Sequence, residues 1–271
     1  MATFPPTATT VFDSILFRDA FGTPRMREVF SDYALISRYV EVEIALARAQ
    51  ARCGVIPAEA AEQIAAKSNV ASLDFDVLRH ETDIVGYPIL PLVHQLVKQC
   101  GDAGRYIHWG ATTQDIMDTA VVLQVREGLT IIEKEINELR GILAKLARNY
   151  RDTPMAGRTH LQQALPITFG YKVAIWLAIF DRHAERLDQL KPRVLVGEFA
   201  GAAGTLASLG EKGLEVQKAF CEELGLGVPV STWHVARDGL AETINLLGLI
   251  TASLGKIALH DHGLDRIRRA L

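Results

Sequence analysis

Between Met26 and Arg52 apolar residues recur at three- and four-residue steps, through Val29, Tyr33, Ile36, Val40, Ile44 and Ala47. That period is one face of a helix. Gly54 ends the pattern, and Pro57 can open a further short helix at its first turn. The clearest stripe comes later, where Val122, Val125, Leu129, Ile132, Ile136, Leu139, Leu143, Leu146 and Tyr150 follow one another without a gap. A heptad-like run of this length predicts a rod packed in a bundle, and Pro154 ends it. A second long helix is expected over 168–190, closed by Pro192, with shorter ones over 214–224 and 239–259. Residues 1–24 read as irregular, Pro88 and Pro91 break the segment around them, and the glycines of 197–213 are too many for continuous helix. No stretch alternates with period two over any length, so the expected class is all-α.

Three polar, glycine-containing segments interrupt the apolar helices: HWGATTQD at 108–115, GRTHLQQALP at 157–166 and STWHVARD at 231–238. Each is expected at or near a helix end, where unsatisfied N–H groups and partial positive charge suit an anion. Thr112, Thr113 and Gln114 can hold a carboxylate, whereas Asp115 and Asp118 can instead cap the helix that follows. His160 is crowded by Gly157, Arg158, Gln162 and Gln163. His108 and His234 each adjoin a tryptophan, and the plainer reading of either is a buried imidazole bonded to a carbonyl. His183, inside DRHAER, reads as solvated surface.

Composition narrows the picture. Of 271 residues 49% are hydrophobic and 23% charged, which fits a globular chain of one large or two smaller domains. A net charge of −3 gives no reason to expect nucleic acid or an anionic membrane as partner. Cys53, Cys100 and Cys221 are far apart and in no ligand spacing, so a reducing compartment is expected, without disulfide or zinc framework. The start of the chain lacks the features of a secretion signal, and runs such as VAIWLAIF at 173–180 fall short of the about 20 residues a membrane span needs. A cytoplasmic location is the expectation. No phosphate loop, nucleophile elbow, H-E-x-x-H or Cys/His cluster is present.

YIHWGATTQDIMDTAVVLQ and AGRTHLQQALPITFGYKVA resemble the first two motif regions of the fumarase/aspartase superfamily. FGTPRMREVFSD at 21–32, FAGAAGTLASLG at 199–210 and WHVARDGLAE at 233–242 are similar to its lactonising branch, the 3-carboxy-cis,cis-muconate cycloisomerases. The likeness is collinear from about residue 12 to 258. It implies a long-helix bundle assembled as a homotetramer, with an N-terminal helical domain over 1–107 and a central bundle domain over 108–271. It also implies addition to, or elimination across, a double bond beside a carboxylate, without metal or organic cofactor, on a small di- or tricarboxylate.

Carried over by position, His160 and Thr159 become the candidate catalytic residues. His108, Thr112, Thr113, Gln114, Gln163 and Arg237 become substrate-binding. The resemblance favours a cycloisomerase closing a lactone on 3-carboxy-cis,cis-muconate. Bacterial cycloisomerases, however, carry Trp where this chain has His160. The fumarase, argininosuccinate and adenylosuccinate branches carry His there, so a C–N or C–O lyase releasing fumarate is the alternative. The family's third region, a mobile serine loop, is expected some tens of residues beyond SLGKIA at 253–258, where this chain reads LHDHGLDRIRRAL. A truncated chain without the C-terminal domain is therefore expected, and an inactive, oligomerising paralogue is the third reading.

Overall fold

The computed structural model describes residues 10–160 and 162–270, with backbone alone over 260–270. The irregular reading of 1–9 and the side chains of the charged tail lie outside the described residues. The helices, in order, are α1 Arg18–Phe21, α2 Pro24–Val29, α3 Asp32–Arg52, α4 Ala58–Lys67, α5 Phe75–Val85, α6 Ile89–Cys100 and α7 Thr113–Asn149. A hairpin of β1 Pro154–Thr159 and β2 Gln162–Thr168 precedes α8 Phe169–Val194, α9 Gly213–Glu223 and α10 Asp238–Ala270. The fold is thus a helical one with a small two-stranded sheet, and it matches the expected class. Two units divide it, Met1–Gly128 with Leu195–Ala236 and Leu129–Val194 with Arg237–Leu271.

In the first unit the helix expected over 26–52 is broken at Phe30–Ser31. The Ser31 hydroxyl accepts the Ala34 N–H at 3.2 Å and starts α3 as its N-cap. Its inner face, with Val42, Leu46 and Ala49, packs against α4 and α9, and one core joins it to Ile64, Leu92, Leu96, Ile116, Leu123, Phe199 and Phe220. Pro91 does not break α6, because it stands in the first turn, where a missing N–H costs no intrahelical bond. Cys53, Cys100 and Cys221 are all buried in this unit.

The second unit contains most of α7, a helix of 37 residues and about 55 Å in all. It begins nine residues before the apolar stripe does, because its first turns are polar. Leu143 packs with Val173 and Phe180 of α8, and Ile257 of α10 joins that cluster. His183 is 3% exposed rather than solvated, and its Nε2 lies 2.8 Å from Ser253 Oγ. Its charged neighbours in sequence are misleading. Helical period puts it in line with Phe180 and Leu187, and burial beside Arg186 and Arg182 holds its pKa below the ordinary histidine range. Pro192 does not close α8, which continues to Val194, because near a helix end a proline forfeits little. Residues Asp238–Leu259 are long and apolar enough to cross a membrane by length and composition, with a mean hydropathy of 1.2. The expectation concerns uncharged runs and is not overturned, because this segment reaches its length only by including charged Glu242. Within its unit the helix pairs Glu242 with Arg193 and packs on α8, as the core helix of a bundle also would.

The hairpin corrects the expectation that 157–166 is a helix end. Most of its residues are exposed on both faces, so no period-2 signal marks it. A bulge falls between Ala156 and Arg158, and a Cβ on the intervening Gly157 would lie 2.5 Å from the Leu165 carbonyl oxygen. Gly157→Ala is therefore expected to push β1 from β2 at a cost of about 1–3 kcal/mol. Faster amide hydrogen exchange over 154–168, with the helices of the second unit unchanged, is the measurement that checks it.

Candidate functional site

Asp115, two residues inside α7, decides the local structure of the first polar segment. Its Oδ2 accepts the Thr112 N–H at 2.9 Å, while its own N–H donates to the Thr112 carbonyl at 3.1 Å. This is one half of a capping box, and the negative charge sits at the positive end of the helix dipole. The carboxylate is fully buried and also accepts the Ala200 N–H at 3.1 Å and the Gly201 N–H at 3.0 Å. Its fourth partner is His234 Nε2, 2.7 Å from Oδ1. Gln114 joins the same loop from α7, donating to the His234 carbonyl at 2.8 Å and to Asp118 at 3.0 Å. Three stretches of chain, 112–115, 198–201 and 232–234, thus meet on one carboxylate.

Glu198 is buried beside it. Its oxygens accept the Trp233 N–H at 2.7 Å and the Thr232 hydroxyl at 3.0 Å, and His234 Nε2 is 3.6 Å away. Burial pushes the Glu198 pKa up, against the pull of the Trp233 N–H, the Thr232 hydroxyl and the His234 ring. The single hydroxyl hydrogen of Thr232 points to Glu198, so its lone pairs face His234 Nδ1 at 3.2 Å. The imidazole is thus held between Asp115 at Nε2 and Thr232 at Nδ1. Asp115, Glu198 and His234 offer ligand atoms within 4.8 Å of one another, a set chemically suited to a divalent ion. At 2.7 Å, though, the Asp115–His234 contact is a direct hydrogen bond, and the three groups act as a clasp between loops.

His108 has a carboxylate of its own. Glu43 of α3, 1% exposed, accepts the His108 main-chain N–H at 3.1 Å and meets the ring Nδ1 at 2.6 Å. The expected carbonyl partner is therefore wrong for both His108 and His234, because each finds a buried acid from a distant segment. Burial lowers the His108 pKa, but the hydrogen bond and charge of Glu43, with Asp115 behind, raise it overall above the ordinary value of 6.5. A raised folded value contributes stability that is fully present below about pH 6.5 and is lost as pH rises through the folded pKa. Glu43→Gln is therefore expected to destabilise the protein more at about pH 6 than at about pH 9 in urea unfolding.

The sequence-derived candidates fall in two places. His108, Thr112, Thr113 and Gln114 cluster at the amino end of α7 in the first unit, partly buried, with Asp115, Glu198 and His234 beneath them. Thr159, His160 and Gln163 are exposed on the hairpin of the second unit, with His160 in the turn between the paired Thr159 and Gln162. Arg237 also belongs to the second unit, and its carbonyl accepts the Ala241 N–H at 3.1 Å as α10 begins. His108 and His160 share an uncommon trait: their φ values are +62° and +48°, in the left-handed region. Such backbone strain collects at functional sites. Glu43 and Glu198 carry no sequence signal, since they lie 65 and 36 residues from the histidines they serve.

A family model described as Lyase matches residues 19–260. The chain belongs to the fumarase/aspartase superfamily. Among solved structures of that superfamily, a fumarate lyase from Mesorhizobium sp. BNC1 is 60% identical, with a TM-score of 0.86 over 89% of this chain and 57% of that one. A beta-carboxy-cis,cis-muconate cycloisomerase from Acinetobacter calcoaceticus is 44% identical, with a TM-score of 0.88 over 92% of this chain and 59% of that one. Trans-aconitate decarboxylase 1 of Mycosarcoma maydis is 46% identical over 89% of this chain and 49% of its own length. The chain spans about half the length of the curated relatives it matches. Lyase or isomerase chemistry is the common property of this superfamily.

Proposed function

We propose that the protein of which these residues form part is a lyase that eliminates a heteroatom group from a substituted succinate and releases fumarate. The observation that carries this reading is His160, which matches the lyase branches at a position where bacterial cycloisomerases carry Trp. The higher identity to a fumarate lyase than to the cycloisomerase supports it. In the reaction, a base removes the proton from the carbon beside a carboxylate. The resulting aci-carboxylate carries an extra negative charge that fixed donors must hold. The carbon–nitrogen or carbon–oxygen bond then breaks, its electrons leave with the heteroatom, and an acid protonates the leaving group.

Thr112, Thr113 and Gln114, at the positive end of α7, are proposed to bind a substrate carboxylate, with His108 lining the same pocket. His160 is the proposed acid or its hydrogen-bonding partner, with Thr159 beside it, and Gln163 and Arg237 are proposed to bind substrate. The division into domains at 107/108, a homotetramer with shared active sites and a cytoplasmic setting belong to the same proposal. The second reading is the cycloisomerase, favoured by FAGAAGTLASLG and WHVARDGLAE. Ultraviolet absorbance separates them. Incubation with succinyl-substituted amino acids or nucleotides should build up fumarate absorbance, whereas loss of the conjugated diene of 3-carboxy-cis,cis-muconate would decide for lactonisation.

A further inference from the structure

We infer that Glu43 is a positioning residue that holds His108 as a proton-bearing imidazole, with Nε2 presented to an anionic group of the substrate. This deepens the proposed lyase reading and rests on it for the identity of the ligand. The geometry is a two-point clamp. One carboxylate oxygen takes the His108 main-chain N–H at 3.1 Å and the other takes ring Nδ1 at 2.6 Å. Backbone and ring are therefore fixed by the same buried group, at a residue whose φ of +62° needs such support. A carboxylate only accepts, so Nδ1 keeps its hydrogen in both charge states and Nε2 becomes the titrating atom.

Burial of Glu43 at 1% exposure makes the second proton favourable, because an uncompensated carboxylate in the core is costly. The charged groups facing the ring are Glu43 from α3 and Asp115 from α7, both acidic. The ring itself is 21% exposed, and among the described residues no hydrogen bond engages Nε2. A cationic donor in that position answers the charge that a carboxylate substrate brings, four residues before Thr112 and the α7 amino end. Were Glu43 a structural latch only, Glu43→Gln would weaken fumarate binding equally at every pH, because the amide oxygen replaces only one of the two accepting oxygens.

The test uses the isotopically labelled protein and fumarate as probe. In the wild type, long-range nitrogen–proton spectra should show His108 with hydrogen on Nδ1 above its titration midpoint. Hydrogen on Nε2 instead overturns the inference without any mutant. Glu43→Gln should lower the proton affinity of His108 about tenfold, and Glu43→Asp should restore part of it. The fumarate Kd of Glu43→Gln should rise several-fold at a pH between the His108 midpoints of variant and wild type, and converge on wild type well below both, where the ring is protonated without help. An unchanged His108 titration, or a Kd ratio that is the same at every pH, overturns the positioning role. A wild type that binds no fumarate overturns the functional reading itself. The ligand-free titration tells that failure apart from a failure of Glu43.

Discussion

Asp115→Ala is expected to destabilise the first unit by roughly 3–5 kcal/mol, the largest stability effect of any single polar substitution in the described residues. The reason is arithmetic on partners. Removing one fully buried carboxylate leaves the Thr112, Ala200 and Gly201 N–H groups and the His234 ring without acceptors, in three different stretches of chain. Each stranded buried donor costs about 1–3 kcal/mol before relaxation and water entry recover part of it. Asp115→Asn keeps the shape and loses the charge. Its NH2 group cannot accept the His234 hydrogen, so a loss between wild type and alanine is expected. Urea unfolding followed by tryptophan fluorescence measures both, and a difference below about 1 kcal/mol for the alanine variant would show that the clasp does not hold these loops.

His160→Asn is expected to behave in the opposite way. Asparagine tolerates a left-handed backbone, so it suits φ +48° better than alanine does, and the position is exposed. Stability should stay within about 0.5 kcal/mol of wild type. Turnover should fall by about 100- to 10,000-fold if the imidazole passes or holds a proton in the elimination, since asparagine cannot do so. Under the proposed lyase reading, fumarate release measured beside the melting curve gives the comparison. An unchanged rate would reject the role assigned to His160.

Much of this was legible in the chain and some was not, for reasons that follow from range. Helical stripes are local, so α3 and α7 show in the spacing of Val40, Ile44, Leu129 and Ile136. The polar segments show as well, because hydroxyls, amides and glycine at a helix end are a local pattern. The hairpin at 154–168 does not show, since strands wet on both faces carry no alternation. His183 is misread from its charged neighbours, because what matters is which residues stand three and four positions away. The acids that pair with His108 and His234 are invisible for a different reason. Glu43 reads as an ordinary helix residue until folding brings α3 under the 107–111 turn, and Glu198 lies among glycines with no partner in sight.

The burial of every described cysteine has a practical consequence. Cys53, Cys100 and Cys221 all lie inside the first unit, so a thiol reagent meets them only when that unit opens. Labelling rates then become a clock for the unit that contains the Asp115 clasp, silent to events in the hairpin. Asp115→Ala should quicken the clock, and Gly157→Ala should leave it running at its original pace.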